Sequence, residues 1–149
     1  MAASSSSGRR SRRRDLGAMV VPLGRRLVAM ELPILERHDL SMWGYVVLSR
    51  LGDEPPRTQA DLAESIGADK TRIIGVLDEL RDRGLIDRRT DPDDRRVRLL
   101  SITTAGHRLH ARVQHEIQQA EERLLGRLGR GDRAAFLRAL DVLSGDQDD

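Results

Sequence analysis

The segment at 91–103, DPDDRRVRLLSIT, constrains the fold more than any other part of this sequence. Asp91-Pro92 favours a turn, and the alternating apolar residues that follow are typical of a strand. We therefore expect a hairpin with strands at 85–89 and 97–102. Its tip carries two adjacent arginines and three aspartates.

A pair of short helices is predicted directly before this hairpin. Thr58-Gln59-Ala60-Asp61 is a capping box, with Asp in place of the usual Glu or Gln, and starts the first helix. Gly67 turns the chain, Asp69 caps the second helix and Gly84 ends it. The pair has the pattern of a helix–turn–helix. Followed at once by a basic hairpin, it predicts a winged helix, with one helix for the major groove of DNA and the hairpin for the backbone or minor groove.

The starts of these two helices and the hairpin tip supply the candidate DNA-binding residues. The first turn of the second helix reaches base edges in a docked helix–turn–helix, and the start of the first suits a phosphate. An arginine at the tip can enter a narrow minor groove, and we expect Asp93 and Asp94 to hold an arginine by a bidentate pair. Arg88 and Arg98 are also interpreted as charges that keep the hairpin soluble. The candidates are Thr58, Gln59, Lys70, Thr71, Arg72, Arg95 and Arg96.

Long helices are expected on both sides of the winged helix. An apolar stripe predicts a helix over 15–37, although Pro22 and Pro33 inside it predict a late start, a kink or an early stop. Further helices are predicted from 41, with Trp43 facing inward, from 104 to 128 and from 132 to 143. The terminal helices carry more apolar surface than one small winged helix can cover. A symmetric homodimer is the simplest solution, and a monomer with a helical core is the alternative.

Composition excludes several classes of protein. The chain has 149 residues and no cysteine, which excludes disulfides and thiol catalysis. No apolar run approaches the roughly 20 residues of a membrane span. We therefore expect a cytoplasmic protein with no membrane partner. Because we find no phosphate-binding loop, nucleophile elbow or catalytic triad, we also expect that it is not an enzyme. Residues 1–14, rich in Ser and Arg, predict a disordered basic arm.

The hairpin motif resembles that of MarR-type (multiple antibiotic resistance) transcriptional regulators. The family pattern Asp-Pro-x-Asp-Arg-Arg, then alternating apolar residues and Leu-Thr-x-x-Gly, is matched at 91–96 and 102–106, with Ile102 for the usual Leu. The resemblance covers about 15–144. It implies a mainly α fold with a small β-hairpin wing, dimerisation helices at 15–37 and 104–144, and a winged-helix DNA-binding lobe at 41–103. Two lobes would bind a palindromic operator in double-stranded DNA, with Arg96 in the minor groove.

The second helix of the predicted helix–turn–helix, which is the recognition helix, differs from the family pattern at several positions. Gly75 stands where a polar or basic side chain is common, and 70–72 differ from the usual small hydroxyl pair. The operator sequence is therefore not implied by the resemblance.

The resemblance also implies a pocket for a small effector, often a phenolic or aromatic acid, and no cofactor. His38 and Trp43 are the candidates to line it, with Tyr45 as a further one, although Trp43 also suits the core. A zinc-responsive regulator of the same fold is an alternative, because His107 and His110 lie one helical turn apart. This spacing is too loose to assign metal ligands. A winged helix that senses nothing and serves an architectural role is the third hypothesis.

Overall fold

The structure is a computed structural model that describes residues 13–53 and 57–145. Within these ranges the chain is mainly helical, with one small sheet, as the sequence predicts. The basic arm predicted at 1–14 lies outside the described residues except for its last two. The elements are α1 (Leu16–Arg37), α2 (Met42–Asp53), β1 (Arg57–Thr58), α3 (Gln59–Ser65), α4 (Lys70–Asp82), β2 (Ile86–Thr90), β3 (Arg98–Ile102), α5 (Thr104–Leu125) and α6 (Arg130–Ser144).

The hairpin is part of a three-stranded antiparallel sheet in the order β1-β3-β2. β2 and β3 pair from Ile86 opposite Ile102 to Thr90 opposite Arg98. Strand β1 adds to the other edge of β3 and was not predicted, because two extended residues show no alternation. Thr58 belongs to β1 and also caps α3, since its Oγ1 accepts a hydrogen bond from the backbone N–H of Asp61 at 3.0 Å. The start of α3 is therefore fixed to the hairpin.

The ends of the helix–turn–helix form as the capping residues predict. The Asp69 carboxylate accepts from the backbone N–H of Thr71 at 3.1 Å and starts α4. At the other end Gly84 has a φ of 69°, which favours glycine, and its N–H donates to the Arg81 carbonyl at 2.8 Å. The N–H of Leu85 donates to the Leu80 carbonyl at 2.9 Å. This pair of bonds is a Schellman motif, which directs the chain from α4 into β2.

Helix α1 contains Pro22 and Pro33 and is neither delayed at its start nor stopped early by them. Each proline removes one hydrogen bond to the carbonyl four residues earlier. Those carbonyls belong to Ala18 and Ala29, both exposed, so water can hydrate them. The expected late start or early stop was therefore wrong, and the expected kink stays a prediction.

The core lies between the C-terminal end of α1, helices α2 to α4, the sheet and α5. Trp43, expected to face inward, is only partly buried and is not among the side chains packed on the core. The buried face of α2 is centred about a quarter turn away from it. That face consists of Gly44, Val47, Leu48 and Leu51.

Helices α1 and α6 contribute little to this core. Only Ile34 and Leu35 of α1 are buried, and no residue of α6 is. Both helices carry large apolar side chains on their surface, among them Leu16, Val20, Val21, Leu140, Val142 and Leu143. None of the helices in the described ranges combines the length and the hydropathy needed to cross a membrane.

The junction between the winged helix and α5 explains the glycine of the hairpin motif. The Thr103 hydroxyl donates to the Gly84 carbonyl at 2.7 Å and accepts from the backbone N–H of Gly106 at 3.0 Å. A Cβ added to Gly106 would overlap the carbonyl oxygen of Leu85 and lie 2.7 Å from Cγ1 of Ile102. Only glycine lets α5 begin this close to the start of β2.

We therefore expect Gly106→Ala to lower the free energy of unfolding by about 1–3 kcal/mol, because a backbone atom must move. Gly75→Ala is the matched control, since a Cβ there meets nothing within 4 Å in an exposed part of α4. That variant should gain about 1 kcal/mol from helix propensity. Urea titration followed by circular dichroism measures both values. Equal stability of the two variants would contradict the close contact.

Candidate nucleic-acid interface

A groove of 390 Å³ opens between the starts of α3 and α4 and the hairpin. It brings together four of the seven candidate DNA-binding residues: Thr58, Gln59, Lys70 and Arg96. Arg98 and several apolar side chains, including Ile73, Ile74 and Val97, complete its lining. Helix starts, a lysine and a hairpin arginine therefore converge on one surface, as a winged helix requires.

Three candidate residues lie outside this groove. Thr71 and Arg72 are exposed in the first turn of α4, and Arg95 is exposed at the hairpin tip. Their positions leave them accessible to a ligand larger than the groove itself. The structure thus divides the predicted set into four residues that line the groove and three exposed residues that do not.

An internal pairing orients the hairpin tip. One carboxylate oxygen of Asp94 accepts from the backbone N–H of Arg96 at 3.0 Å and from its Nε at 3.2 Å. These two hydrogen bonds, the backbone one first, hold the pKa of Asp94 below its usual value. The expected pairing is present, but through a single oxygen rather than a bidentate pair. The Arg96 side chain stays 91% exposed, so its outer nitrogens can still bind a ligand.

Asp93 does not share that role. Its backbone N–H donates to the Asp91 carboxylate at 2.8 Å, which is the local bond of an Asx turn. The two aspartates that we expected to hold an arginine therefore differ: Asp94 binds Arg96, and Asp93 is part of the turn.

Arg88 was expected to be a charge that keeps the hairpin soluble, and this expectation was wrong. Its Nη2 donates to Oε1 of Gln59 at 2.6 Å and its Nη1 to Oδ1 of Asp78 at 3.3 Å. Its side chain is 19% exposed. Arg88 thus joins β2 to α3 and α4 and is not a freely solvated charge. Strand alternation could have indicated this, because Arg88 shares a face of β2 with the buried Ile86.

This contact changes the role available to Gln59. Its side-chain oxygen is used by Arg88, so the amide NH₂ is the group left to donate to a phosphate. Arg98 has a similar internal contact, since its Nη1 donates to the Thr90 hydroxyl across the strands at 2.6 Å. Arg88 and Arg98 of the basic hairpin are therefore engaged in contacts within the protein, whereas the two tip arginines, Arg95 and Arg96, remain exposed.

The candidates for an effector site are separated by the structure. Nε2 of His38 lies 2.8 Å from Oε1 of Glu116 on α5, and Oε2 of Glu116 accepts from Arg37 at 2.7 Å. Hydrogen bonds from Arg37 and then His38 lower the pKa of Glu116. Arg37 and Glu116 line a cleft of 590 Å³ between α1 and α5, so His38 lies at its edge. Trp43 does not line this cleft.

The histidines of α5 are not arranged around a metal site. His110 stacks on Tyr45 with ring centroids 5.2 Å apart, and its Nε2 lies 2.8 Å from the Ser49 hydroxyl. Burial lowers the pKa of His110. Across residues 13–53 and 57–145 we find no group of three or more His, Asp or Glu side chains placed to hold a metal ion.

Comparison with known proteins identifies relatives of this chain. The family model that matches, over residues 40–97, is that of the MarR family. The HTH-type transcriptional repressor NicR of Pseudomonas putida is 32% identical over 96 residues, which span 64% of this chain and 61% of NicR. The aligned part therefore spans about three fifths of that relative.

Solved structures match over more of the chain. The transcriptional repressor CouR bound to a 23-mer DNA duplex is 30% identical, with a TM-score of 0.76, over 88% of this chain and 93% of CouR. BpsR of Bordetella bronchiseptica, whose DNA binding is regulated by 6-hydroxynicotinic acid, is 26% identical, with a TM-score of 0.72, over 91% of this chain and 96% of BpsR.

Proposed function

The chain belongs to the MarR family, and from this premise we propose that it is a transcriptional repressor that binds palindromic double-stranded DNA as a homodimer. The observation that carries the proposal is the groove in which Thr58, Gln59, Lys70 and Arg96 converge. Repression is proposed because the similar proteins NicR and CouR are named repressors. Such a regulator acts on the chromosome, so the expected cytoplasmic location is part of the proposal.

The charges around the groove favour a duplex as its ligand. Cationic side chains lie on two elements, α4 and the hairpin, which correspond to the helix and the wing that dock on neighbouring grooves of DNA. Asp69 at the start of α4 and Asp94 at the hairpin tip both accept hydrogen bonds from the protein itself. The cations of these two elements attract phosphate. The cations are Lys70, Arg72, Arg95, Arg96 and Arg98.

The terminal helices support the proposed dimer. An apolar cleft of 210 Å³ opens between α1, α5 and α6, lined by Leu23, Leu27, Leu124 and Phe136 among others. Val142 and Leu143 of α6 are 70% and 79% exposed. Apolar surface of this extent is characteristic of an interface. A second copy covers it symmetrically and places two α4 helices about one turn of duplex apart.

An effector site is proposed in the cleft between α1 and α5. Arg26, Arg37 and Arg123 line it beside apolar residues that include Met30 and Ile34. Guanidinium groups bind a carboxylate, and the apolar floor accommodates a ring, so an aromatic acid fits this chemistry. The effector site is therefore proposed in this cleft, which Trp43 does not line and at whose edge His38 lies.

Contacts connect this cleft to the recognition helix. Glu116, in the cleft wall, binds His38, and the backbone carbonyls of His38 and Asp39 accept hydrogen bonds from Arg83 at the end of α4. A ligand that displaces Glu116 would therefore act on the loop that holds α4. Differential binding of this kind is what couples an effector to DNA affinity.

The DNA-binding proposal predicts that Arg96→Ala weakens binding to a selected duplex by about 1–3 kcal/mol. The duplex is first selected from a random library at low salt, and affinity is measured by fluorescence anisotropy. Arg138→Ala is the control. It removes the same charge at an exposed position of α6 that is far from the groove in the sequence. Sedimentation should give two chains per duplex for all three proteins. Failure of the wild type to select any duplex would contradict the function, and unchanged affinity of Arg96→Ala would remove the hairpin from it.

The effector proposal predicts that 6-hydroxynicotinic acid or a hydroxybenzoate raises the melting temperature, because a ligand of the folded state stabilises it. Arg123→Gln should lose the shift, while Arg138→Gln should retain it. An equal shift in both variants would place the ligand elsewhere. A shift with zinc instead would favour the metal-responsive alternative, and no shift with any of these probes would favour the architectural one.

A further inference from the structure

Helix α4 carries an exposed aliphatic side chain close to the polar residues of its first turn. Ile74 is 44% exposed, whereas its neighbour Ile73 is 2% exposed and belongs to the core. The core therefore gains little from Ile74. Residues three and four apart share a face of a helix, so Ile74 lies beside Thr71 and Lys70. It also lines the groove together with Arg96.

The residue after Ile74 leaves this part of α4 open. Gly75 has no side chain, and a Cβ added there would meet nothing within 4 Å. No bulky neighbour at this position prevents the helix from approaching a surface. An exposed isoleucine beside a glycine is therefore available for close contact with whatever occupies the groove.

We propose that Ile74 contacts the 5-methyl group of a thymine in each half-site, so that the operator carries a thymine opposite the middle of α4. The inference rests on the proposed DNA-binding function. The surrounding cations select a polyanion as the occupant. On the base edges of the major groove the thymine methyl is the apolar group, and it matches an aliphatic side chain. Ile74 thus determines specificity where Gly75 offers no hydrogen bond.

The experiment uses the full chain and the duplex that it selects from a random library. Each thymine of the half-sites is replaced in turn by deoxyuridine, which keeps the Watson–Crick pairing and lacks the methyl group. Affinities of the wild type and of Ile74→Ala are measured by anisotropy at one salt concentration. At one position per half-site the wild type should lose about fourfold in affinity for each half-site altered, the value of one buried methyl group.

The variant completes a double-mutant cycle. Ile74→Ala should bind the thymine and deoxyuridine duplexes equally, because its methyl-binding side chain is absent. Ile74→Val, which keeps a branched side chain, should retain most of the discrimination. Melting curves check that the variants are folded, and the exposure of Ile74 makes its substitution compatible with the core.

Four results would overturn the inference. The first is that the selected half-sites contain no preferred thymine, and the second is that the deoxyuridine penalty is the same in the wild type and in Ile74→Ala. The third is that Thr71→Ser abolishes the penalty, which would assign the methyl contact to Thr71. The fourth is a change of sedimentation mass in Ile74→Ala without DNA, which would assign Ile74 to a contact between copies. Failure to select any duplex contradicts the proposed function itself, and is thereby distinguished from these results.

Discussion

The DNA-binding lobe depends on the guanidinium of Arg88. From β2 it donates to Gln59 on α3 and to Asp78 on α4, and so connects the hairpin to both helices of the helix–turn–helix. A largely buried charge is stable only where it is paired and hydrogen-bonded. Nη1 and Nη2 are paired in this way, whereas the buried Nε has no hydrogen-bond partner among the described residues. The three elements must therefore keep the relative positions that preserve the two bonds. Gln59 also lines the groove that we propose for DNA, so this contact fixes one side chain of its lining.

A second set of contacts connects this lobe to the long helices. Thr103 joins the turn after α4 to the start of α5, and Gly106 allows the close approach of the two. Arg83 and His38 do the same at the end of α1. The groove that we propose for DNA and the apolar faces of α1 and α6 thus belong to one framework. In the proposed dimer this arrangement would present two lobes at a fixed spacing.

Local signals in the sequence predicted the parts of the fold that depend on local physics. The caps at Thr58 and Asp69, the glycine at 84 and the hairpin formed as expected, because each depends on bonds between near neighbours. Tertiary contacts explain what the sequence did not reveal. Strand β1 exists only through its pairing with β3, and Arg88 is an internal link only because two helices lie beneath it. The exposure of Ile74 likewise follows from how α4 packs. Positions 73 and 74 are both isoleucine, so residue type does not show which of the two is buried.

The most direct test of this account is a salt series of DNA affinity for Arg88→Met and Arg89→Met, which remove the same charge from adjacent positions of β2. Arg89 is exposed, whereas Arg88 faces the helices. If Arg88 acts by holding α3, α4 and the hairpin together, the DNA affinity of Arg88→Met should fall by about tenfold or more at every salt concentration. The slope of log affinity against log salt should not change. The loss of affinity should also exceed that of Arg89→Met. A slope reduced by about 1 would show that Arg88 itself contacts phosphate. That result, or an unchanged affinity, would contradict the account.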